Sequence, residues 1–459
     1  TTVVTARLLS PGEFGLIGLA LTLTMFLDLL NDFGLTTAYV YFARDRDDDE
    51  VANTAFGLNI AIGVALTAVT IAVAPLVADF YEEPKVTAIL VALSANYILM
   101  SAGAIHDGRM QARLDFRRRF FAELGRAASK GAATIALAIA GLGVWSLVLG
   151  QIIGVAVSSA CLIVLERWRP RLHFDRKLAG GMLRYGLHLL TLGFVGLAAA
   201  NVDYIFIGRR LGTEALGFYT LAFRLPSLAI RGTSSVVSQV AFSAYAKLSN
   251  EPAALARALL VSLRMMAMYT VPVALGMAVM APEAIEVLFG GKWEASGQLL
   301  RILALHSLLT VVVYSAGDVY KAVGRPGLLT LHALVKLAVA VPLLWFASGR
   351  DLQAVAWAQV VIGAVSAVVQ LVLLRSVLGI GPRMVARSLI TPIVAGAVMA
   401  ATAYGVTRWF DDATDLTRLV IGLTVGVVAY AATAWCVDPT GTRQTVGLLR
   451  SGRSTKEAV

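Results

Sequence analysis

The chain has 459 residues, of which 58% are hydrophobic and 15% are charged, with a formal net charge of +10 at pH 7. Soluble domains carry about a quarter charged residues, so this shortage of charge excludes an ordinary water-soluble protein. The apolar residues form blocks of about 20 or more, the length that a helix needs to cross a bilayer core of ~30 Å. We therefore predict an all-α polytopic membrane protein.

Hydrophobic blocks separated by charged and helix-breaking residues predict about fourteen transmembrane helices. We expect the first helix to be truncated in this chain and to end near Leu9. Thirteen complete spans are expected at roughly 14–42, 52–78, 86–105, 120–140, 142–165, 181–207, 214–245, 258–289, 296–320, 327–347, 352–376, 385–408 and 417–437.

An internal repeat with an offset of 202 residues groups these helices into two sets. The segment from Arg7 to Gly15 aligns with the segment from Arg209 to Gly217, and the two share the arginine, a leucine, a polar turn and the final glycine. An even number of spans separates the copies, which indicates two parallel, pseudo-symmetric six-helix lobes plus two extra helices. The predicted domains are an N-terminal lobe at 1–165, a basic cytoplasmic linker at 166–180, a C-terminal lobe at 181–377, the appended spans at 378–437 and a cytoplasmic tail at 438–459.

The charge of the connections predicts the orientation of the chain. Arginine and lysine concentrate in the connections around 109–119 and 167–177 and in the tail, whereas acidic connections follow other spans, as at 79–83. Because short basic loops remain in the cytoplasm, we expect both termini to be cytoplasmic and the protein to lie in a bacterial inner membrane. Anionic lipids, and not nucleic acid, are the expected partners of the basic loops.

Positively charged residues inside the predicted second lobe indicate an anionic substrate. Arg224 and Arg231 are seven residues apart on one helical face, and Ser227 extends that face. A charge at the bilayer centre costs ~2.5–3.5 kcal/mol on insertion scales, so such residues mark a substrate route or have a structural partner. Guanidinium groups match phosphate oxygens, which points to a diphosphate. Lys336 and Arg264 are further candidates, with solvation inside the lobe or snorkelling to the interface as the alternatives.

Acidic residues in the predicted second span form a second candidate group. Asp28, Asn31 and Asp32 recur there at helical spacing. Three roles remain open for the carboxylates: an interlobe ion pair or gate, the binding of a coupling cation or proton, or a structural cap within their own lobe. Asp203, in the predicted seventh span, is expected to pair with one of the arginines at 209–210.

No cofactor, metal site or catalytic grouping is expected. The five histidines show no metal-binding or triad pattern, and Cys161 and Cys436 are interpreted as packing residues. The chain has no glycine-rich nucleotide-binding motif, so a proton or sodium gradient or the membrane potential is the expected energy source.

Four short motifs follow one another along the chain: the segment from Arg7 to Gly15, Asp32-Phe33-Gly34-Leu35, Trp168-Arg169-Pro170-Arg171, and Asn201-Val202-Asp203. In this order they resemble the Wzx-type oligosaccharide flippases, polysaccharide biosynthesis transporters of the multidrug/oligosaccharidyl-lipid/polysaccharide exporter superfamily. The resemblance implies alternating access of two lobes around a cationic cavity. It also implies transport of a polyprenyl-diphosphate-linked oligosaccharide from the cytoplasmic to the outer leaflet, alongside other polysaccharide-assembly membrane proteins.

Three other functions remain as alternatives. A drug or cation antiporter of the same superfamily would favour acidic residues in an otherwise neutral cavity. A membrane glycosyltransferase or polymerase would need a large outer loop, whereas the longest predicted outer connections have about ten residues. A scaffold would not need charge inside its helices. We therefore expect a transporter and not an enzyme.

Overall fold

The computed structural model describes residues 2–43, 47–171, 173–410 and 412–439, without the side chains of 32, 188, 189, 191, 192, 231–237, 239, 240 and 314. Sixteen α-helices and one short 3-10 turn make up the described part of the chain, and no β-strand occurs in it. The predicted all-α architecture is confirmed.

The helices follow one another with short connections. The first eight are α1 (Thr2–Leu8), α2 (Pro11–Asp32), α3 (Leu35–Phe42), α4 (Asp48–Tyr81), α5 (Lys85–Ala112), α6 (Phe116–Ile139), α7 (Val144–Glu166) and α8 (Arg176–Arg210). The next eight are α9 (Gly212–Lys247), α10 (Pro252–Val279), α11 (Ala281–Phe289), α12 (Glu294–Ala322), α13 (Gly327–Ser348), α14 (Leu352–Leu378), α15 (Pro382–Trp409) and α16 (Asp415–Val437), with the 3-10 turn (Gly291–Trp293) before α12.

Ten helical segments of the described chain are long and apolar enough to cross a membrane. They are α2 with α3, α4, α5, α7, α10, the 3-10 turn with α12, α13, α14, α15 and α16. The helices α6, α8 and α9 fall outside this set but have 24, 35 and 36 residues and coincide with predicted spans. The prediction of a polytopic membrane protein is confirmed.

Two spans that were predicted as continuous, 14–42 and 258–289, are each divided into two helices. Phe33 and Gly34 separate α2 from α3 because both take left-handed backbone conformations, with φ of 43° and 62°. Pro282 lies in the first turn of α11 and has no N–H to donate to the preceding turn, so α10 does not continue into α11.

A capping box fixes the start of α2. The Oγ atom of Ser10 accepts a hydrogen bond from the backbone N–H of Glu13 (3.3 Å), and the backbone N–H of Ser10 donates to Oε2 of Glu13 (2.8 Å). Pro11 occupies the first turn, where a backbone N–H has no partner within the helix. The polar turn of the repeated segment therefore has a local structural role.

The repeated segment also brings α2 against the first turn of α9. A Cβ atom on Gly15 would lie 1.6 Å from the carbonyl oxygen of Thr213, and a Cβ atom on Gly217 would lie 1.9 Å from that of Pro11. The glycines are 202 residues apart, and so are Pro11 and Thr213, so the two contacts are equivalent. Only glycine permits such an approach of two backbones. Such a reciprocal contact is expected where the two copies of the repeated segment are related by a local two-fold axis.

The chain forms two compact units, Thr1–Gly217 and Phe218–Val459. In the first unit, α8 packs against α2 and α4 as well as α3. The sequence assigned this helix to the predicted C-terminal lobe at 181–377, and that boundary stays a prediction. Glycines on α8 allow its close packing within the first unit. A Cβ atom on Gly186 would lie 2.0 Å from the carbonyl oxygen of Phe33.

Each unit has its own buried apolar cluster. In the first unit it contains Leu35, Tyr39, Val51, Ile105 and Met182. In the second unit it contains Leu255, Leu259, Leu263, Val319 and Tyr320. These clusters hold the helices that carry the polar groups described next.

Candidate functional site

A buried arginine connects three helices of the first unit. Arg109, on α5, lies 3.0 Å from Asp48 (Nη2 to Oδ2) and 3.1 Å from Asp49 (Nη1 to Oδ1) on α4. Its Nε atom lies 3.2 Å from Oε1 of Glu166, whose side chain at the end of α7 is only 2% exposed. The guanidinium also lies over the ring of Trp168, 5.1 Å from the centroid. Because buried charges are stable only when paired, the four charges hold α4, α5 and α7 together.

Arg109 and its neighbour Arg113 were predicted to set membrane topology, and their acidic partners were not predicted. Arg113 also lies 3.0 Å from Glu166 (Nη1 to Oε1), and the hydroxyl of Tyr39 hydrogen-bonds to Asp48. The available signal was Glu166, a glutamate at the end of an apolar span and directly before a basic connection, which indicates an ion pair. Spacing alone does not reveal which helix it faces.

The first unit contains a cavity of about 460 Å³ between α2, α3, α4, α5, α6 and α7. Its polar lining consists of Asn31, Thr36, Asn59, Asp107, Arg119, Glu123, Arg126, Ser158 and Ser159. Its larger apolar side chains are Met100, Phe116, Phe120, Val155 and Leu162. The cavity therefore combines hydrogen-bonding groups with two aromatic rings.

The charges that line this cavity are balanced. Arg119 contacts Asp107 through two parallel bonds, from Nε to Oδ1 (2.6 Å) and from Nη2 to Oδ2 (3.0 Å). Arg126 lies 3.7 Å from Glu123 (Nη1 to Oε2). Two arginines and two carboxylates thus line the cavity, and the Asp107–Arg119 pair has the bidentate geometry of strong ion pairs.

Two asparagines line the cavity with different hydrogen bonding. Asn31 accepts a hydrogen bond from the hydroxyl of Ser101 (3.1 Å). Asn59 is 0% exposed, and neither its Oδ1 nor its Nδ2 has a hydrogen-bond partner among the described residues. A buried polar group without a partner costs about 1–3 kcal/mol. Asn59 was not predicted as a site residue, because one asparagine in an apolar block gives no signal of its surroundings.

The structure places the predicted gate or coupling residues at separate points. Asp28 is half-buried on α2, where the charge of Arg126 from its own unit acts on it. The side chain of Asp32 lies outside the described residues. Asp203 is buried in α8, and Arg209, one of its two expected partners, lies 2.8 Å from Glu82 (Nη1 to Oε1).

The predicted cationic face of the second unit is described in part. Arg224 is exposed on α9, and no ion pair with another described residue is found for it. The hydroxyl of Ser227 donates to the carbonyl oxygen of Phe223 (2.8 Å), one turn earlier. The side chain of Arg231 lies outside the described residues.

The other two predicted cations have identified neighbours. Lys336 is half-buried on α13, and its charge acts on the rings of His306 and His332. Arg264, on α10, forms an ion pair with Asp438, and both side chains are about a quarter exposed. Arg264 therefore lies in a structural contact with the segment that follows α16.

An apolar groove in the second unit was not predicted. It has a volume of about 450 Å³ between α10, α15 and α16. Four methionines line it, together with glycines and aromatic rings: Met268, Met277, Met280, Met399, Gly276, Gly422, Gly426, Tyr269 and Tyr430. Methionine side chains adapt to irregular apolar ligands, so the groove suits a flexible hydrocarbon chain.

Comparison with known proteins gives a family match over most of the chain. The model of the family described as polysaccharide biosynthesis protein matches residues 4–298. The teichuronic acid biosynthesis protein TuaB of Bacillus subtilis (strain 168) is 27% identical over 419 residues, which cover 86% of this chain and 84% of TuaB. The lipopolysaccharide biosynthesis protein WzxC of Escherichia coli (strain K12) is 24% identical, over 70% of this chain and 65% of its own length.

Solved structures share the fold. The lipid II flippase MurJ, in an inward closed conformation, superposes with a TM-score of 0.80 and 14% sequence identity, covering 95% of both chains. An inward-facing multidrug resistance MATE family transporter of the MOP superfamily gives a TM-score of 0.68 at 16% identity, covering 82% of this chain and 94% of the other. The resemblance noted from the four motifs is confirmed.

Proposed function

Because this chain belongs to the polysaccharide biosynthesis protein family, we propose that it moves a polyprenyl-diphosphate-linked oligosaccharide from the cytoplasmic to the outer leaflet of a bacterial cytoplasmic membrane. One observation carries the proposal: a member of a glycan biosynthesis family has, over 95% of its length, the fold of a lipid II flippase. The family supports the class of cargo, and the fold supports transport without an enzymatic step.

In this proposal, cations of the second unit bind the diphosphate. The exposed guanidinium of Arg224 can form two parallel hydrogen bonds to phosphate oxygens, and Lys336 adds a second positive charge. Arg231 follows Arg224 at heptad spacing on the same helix. Ser227 and Arg264 are secondary candidates, since both already have protein partners.

The apolar groove is proposed to hold the polyprenyl tail. A tail that remains in hydrocarbon while the head group crosses loses no hydrophobic contact, so only the polar part needs a protected path. The groove between α10, α15 and α16 offers an apolar surface of the required kind. The exposed basic side chains around the α5–α6 connection, Arg113, Arg117 and Arg118, are proposed to contact anionic lipid head groups, and the finished glycan passes to other polysaccharide-assembly membrane proteins.

Alternating access of the two repeats is the proposed transport mechanism. A gate or coupling role is proposed for Asp28, Asn31, Asp32 and Asp203, with a proton gradient, a sodium gradient or the membrane potential as the energy source. The charge of Arg126 acts on Asp28, so protonation or cation binding at this carboxylate would weaken that attraction.

A drug or cation antiporter is the second candidate, because the MATE family transporters share the fold. Its cargo would be cationic, and an exposed arginine in the second unit would repel it. The sign of the transported charge therefore distinguishes the two functions.

Depletion of the protein tests the proposal. Lipid extracts of depleted cells are analysed by mass spectrometry for polyprenyl-linked glycans, and intact vesicles show which leaflet contains them. We expect these glycans to accumulate in the cytoplasmic leaflet and to reach the outer leaflet when the protein is restored. Unchanged glycan pools, together with increased sensitivity to cationic drugs, would instead establish the antiporter.

A further inference from the structure

The unpaired amide of Asn59 indicates a ligand in the cavity of the first unit. Asn59 lies in α4, a helix apolar enough to cross a membrane, where a polar side chain without a partner is unfavourable. The side chain lines the cavity, and both its donor and its acceptor lack a partner among the described residues. An amide with a free donor and a free acceptor matches a hydroxyl group, which also donates and accepts.

The charges around the cavity favour an uncharged ligand. Arg119 is held by Asp107 in a bidentate pair, and Arg126 lies near Glu123 and also acts on Asp28. A diphosphate entering the cavity would meet these carboxylates, and a cation would meet the two arginines. Balanced charge combined with unfilled hydrogen bonds suits a neutral polyhydroxyl compound.

The size and the aromatic residues of the cavity suit a sugar ring. Its volume of about 460 Å³ lies within the range of roughly 300–1,000 Å³ of small-molecule sites. Phe116 and Phe120, in the first turns of α6, are exposed at the rim and offer flat apolar faces. Sugar rings present apolar C–H faces as well as hydroxyl groups, so both kinds of lining find a counterpart.

We propose that this cavity binds one uncharged, hydroxyl-bearing sugar unit of the transported glycan. The inference rests on the proposed function and assigns the sugar to the first unit, whereas the diphosphate is assigned to Arg224 and Lys336. Asn59 donates one hydrogen bond to the sugar and accepts another, and Asn31 and the two serines of α7, which also line the cavity, offer further polar groups to complete the set. The cavity thereby selects substrates by the presence of a glycan and not by their charge.

Direct sugar binding tests the inference. The purified full-length protein in lipid nanodiscs is mixed with free neutral hexoses, free N-acetylhexosamines or inorganic diphosphate, and binding is measured by saturation-transfer NMR. Asn59→Leu is similar in size to asparagine and removes both hydrogen-bonding atoms. We expect at least one sugar to bind the wild type and to bind Asn59→Leu at least tenfold more weakly, with diphosphate binding unchanged.

Asn96→Leu is the matched control. Asn96 is also buried, its Oδ1 also lacks a described partner, and it does not line the cavity. We expect Asn96→Leu to bind the sugar like the wild type. Equal sugar affinity in Asn59→Leu and the wild type, or no binding of any sugar in the panel, overturns the inference. Since Asn59→Leu removes an unpaired buried amide, its thermal stability should not fall; if it fails to fold, Asn59→Ser replaces it.

A flipping assay separates this inference from the proposed function. Proteoliposomes receive polyprenyl diphosphate with and without the glycan, and access of a membrane-impermeant oxidant or phosphatase reports transfer between leaflets. If the wild type moves neither lipid but binds sugar in an Asn59-dependent way, the proposed function fails and the sugar site stands. If the wild type moves the glycan-bearing lipid and Asn59→Leu moves it equally fast, the function stands and the sugar site fails.

Discussion

Charged side chains within the helices differ in whether the protein itself neutralises them. Arg109 is surrounded by three carboxylates and an aromatic ring, so its charge is satisfied within the first unit. Arg224 is exposed, and no ion pair with a described residue is found for it. Replacement of the paired Arg109 should therefore lower the stability of the protein, whereas replacement of the exposed Arg224 should lower transport.

Replacing Arg224 should strongly reduce transport without affecting folding. Arg224→Ala removes the proposed charge-assisted hydrogen bonds to the diphosphate, each about 1.5–3 kcal/mol, so we expect export to fall about tenfold or more. Surface glycan is measured against the amount of protein in the membrane. Arg257→Ala, at another exposed arginine of the second unit, serves as the control and should retain export. Normal export by Arg224→Ala would remove this residue from the site.

Replacing Arg109 should instead destabilise the first unit. Arg109→Ala leaves the buried Glu166 with Arg113 as its remaining partner and removes the ion pairs with Asp48 and Asp49. Breaking a buried ion pair costs about 3–5 kcal/mol, and since Arg113 still neutralises Glu166, the cost here should lie near or below the lower end of that range. We expect a lower midpoint of thermal unfolding for the purified protein. Arg118→Ala removes an exposed pair with Asp115, worth about 0–1 kcal/mol, and should leave the midpoint unchanged. Equal midpoints for the two variants would contradict the structural role.

Helix contacts depend on a few positions without side chains. The approach of α2 to α9 is a contact of backbones at Gly15 and Gly217, so no rotamer change can relieve a larger residue there. The helices of the apolar groove approach each other differently, because flexible methionine side chains lie against their glycines. The backbone contact of α2 with α9 is therefore rigid, whereas the methionine side chains of the groove can change conformation to fit a ligand.

Gly15→Ala should therefore be far more harmful than its neighbour Gly12→Ala. The new Cβ atom would lie 1.6 Å from a carbonyl oxygen in the first case and would meet nothing within 4 Å in the second. Overpacking costs about 1–3 kcal/mol, so we expect a lower unfolding midpoint for Gly15→Ala alone, measured in detergent. Two equally stable variants would show that α2 and α9 can separate freely.

The sequence predicts where the helices lie along the chain better than which helices and side chains contact one another. Hydropathy located the helices because each span must be apolar on its own, and the repeat located Gly15 and Gly217 because both copies keep the same motif. The breaks after α2 and α10 were missed because Gly34 and Pro282 lie inside continuous apolar blocks, although the blocks at 14–42 and 258–289 are longer than the ~20 residues that one span needs. The partner of Glu166 and the isolation of Asn59 were not predictable, because both depend on which helices meet in space.

At the scale of the whole molecule, the proposed transport of a diphosphate would link the cycle to the membrane potential. Moving one elementary charge through 100 mV is worth about 2.3 kcal/mol. The cytoplasm is the negative side, so outward movement of a diphosphate is favoured by the potential. A cationic site that neutralises the diphosphate while it crosses lowers the net charge that moves through the field, and so reduces this gain in free energy. Release of the diphosphate on the outer side restores the gain.

Proteoliposomes with an imposed potassium diffusion potential measure this coupling. We expect faster transfer of the glycan-bearing lipid from the negative side to the positive side and slower transfer when the polarity is reversed. Sodium and proton gradients are abolished in parallel samples as controls. Transfer that does not depend on the potential but requires one of these gradients would show that an ion gradient is the energy source. Asp28 would then be the first candidate for the ion's binding site.

The contact between Gly15 and Gly217 also couples two distant positions of the sequence. Each glycine lies against the backbone of the other copy of the motif, so a side chain added at either position disturbs both copies at once. A steric constraint therefore ties together two positions that are 202 residues apart.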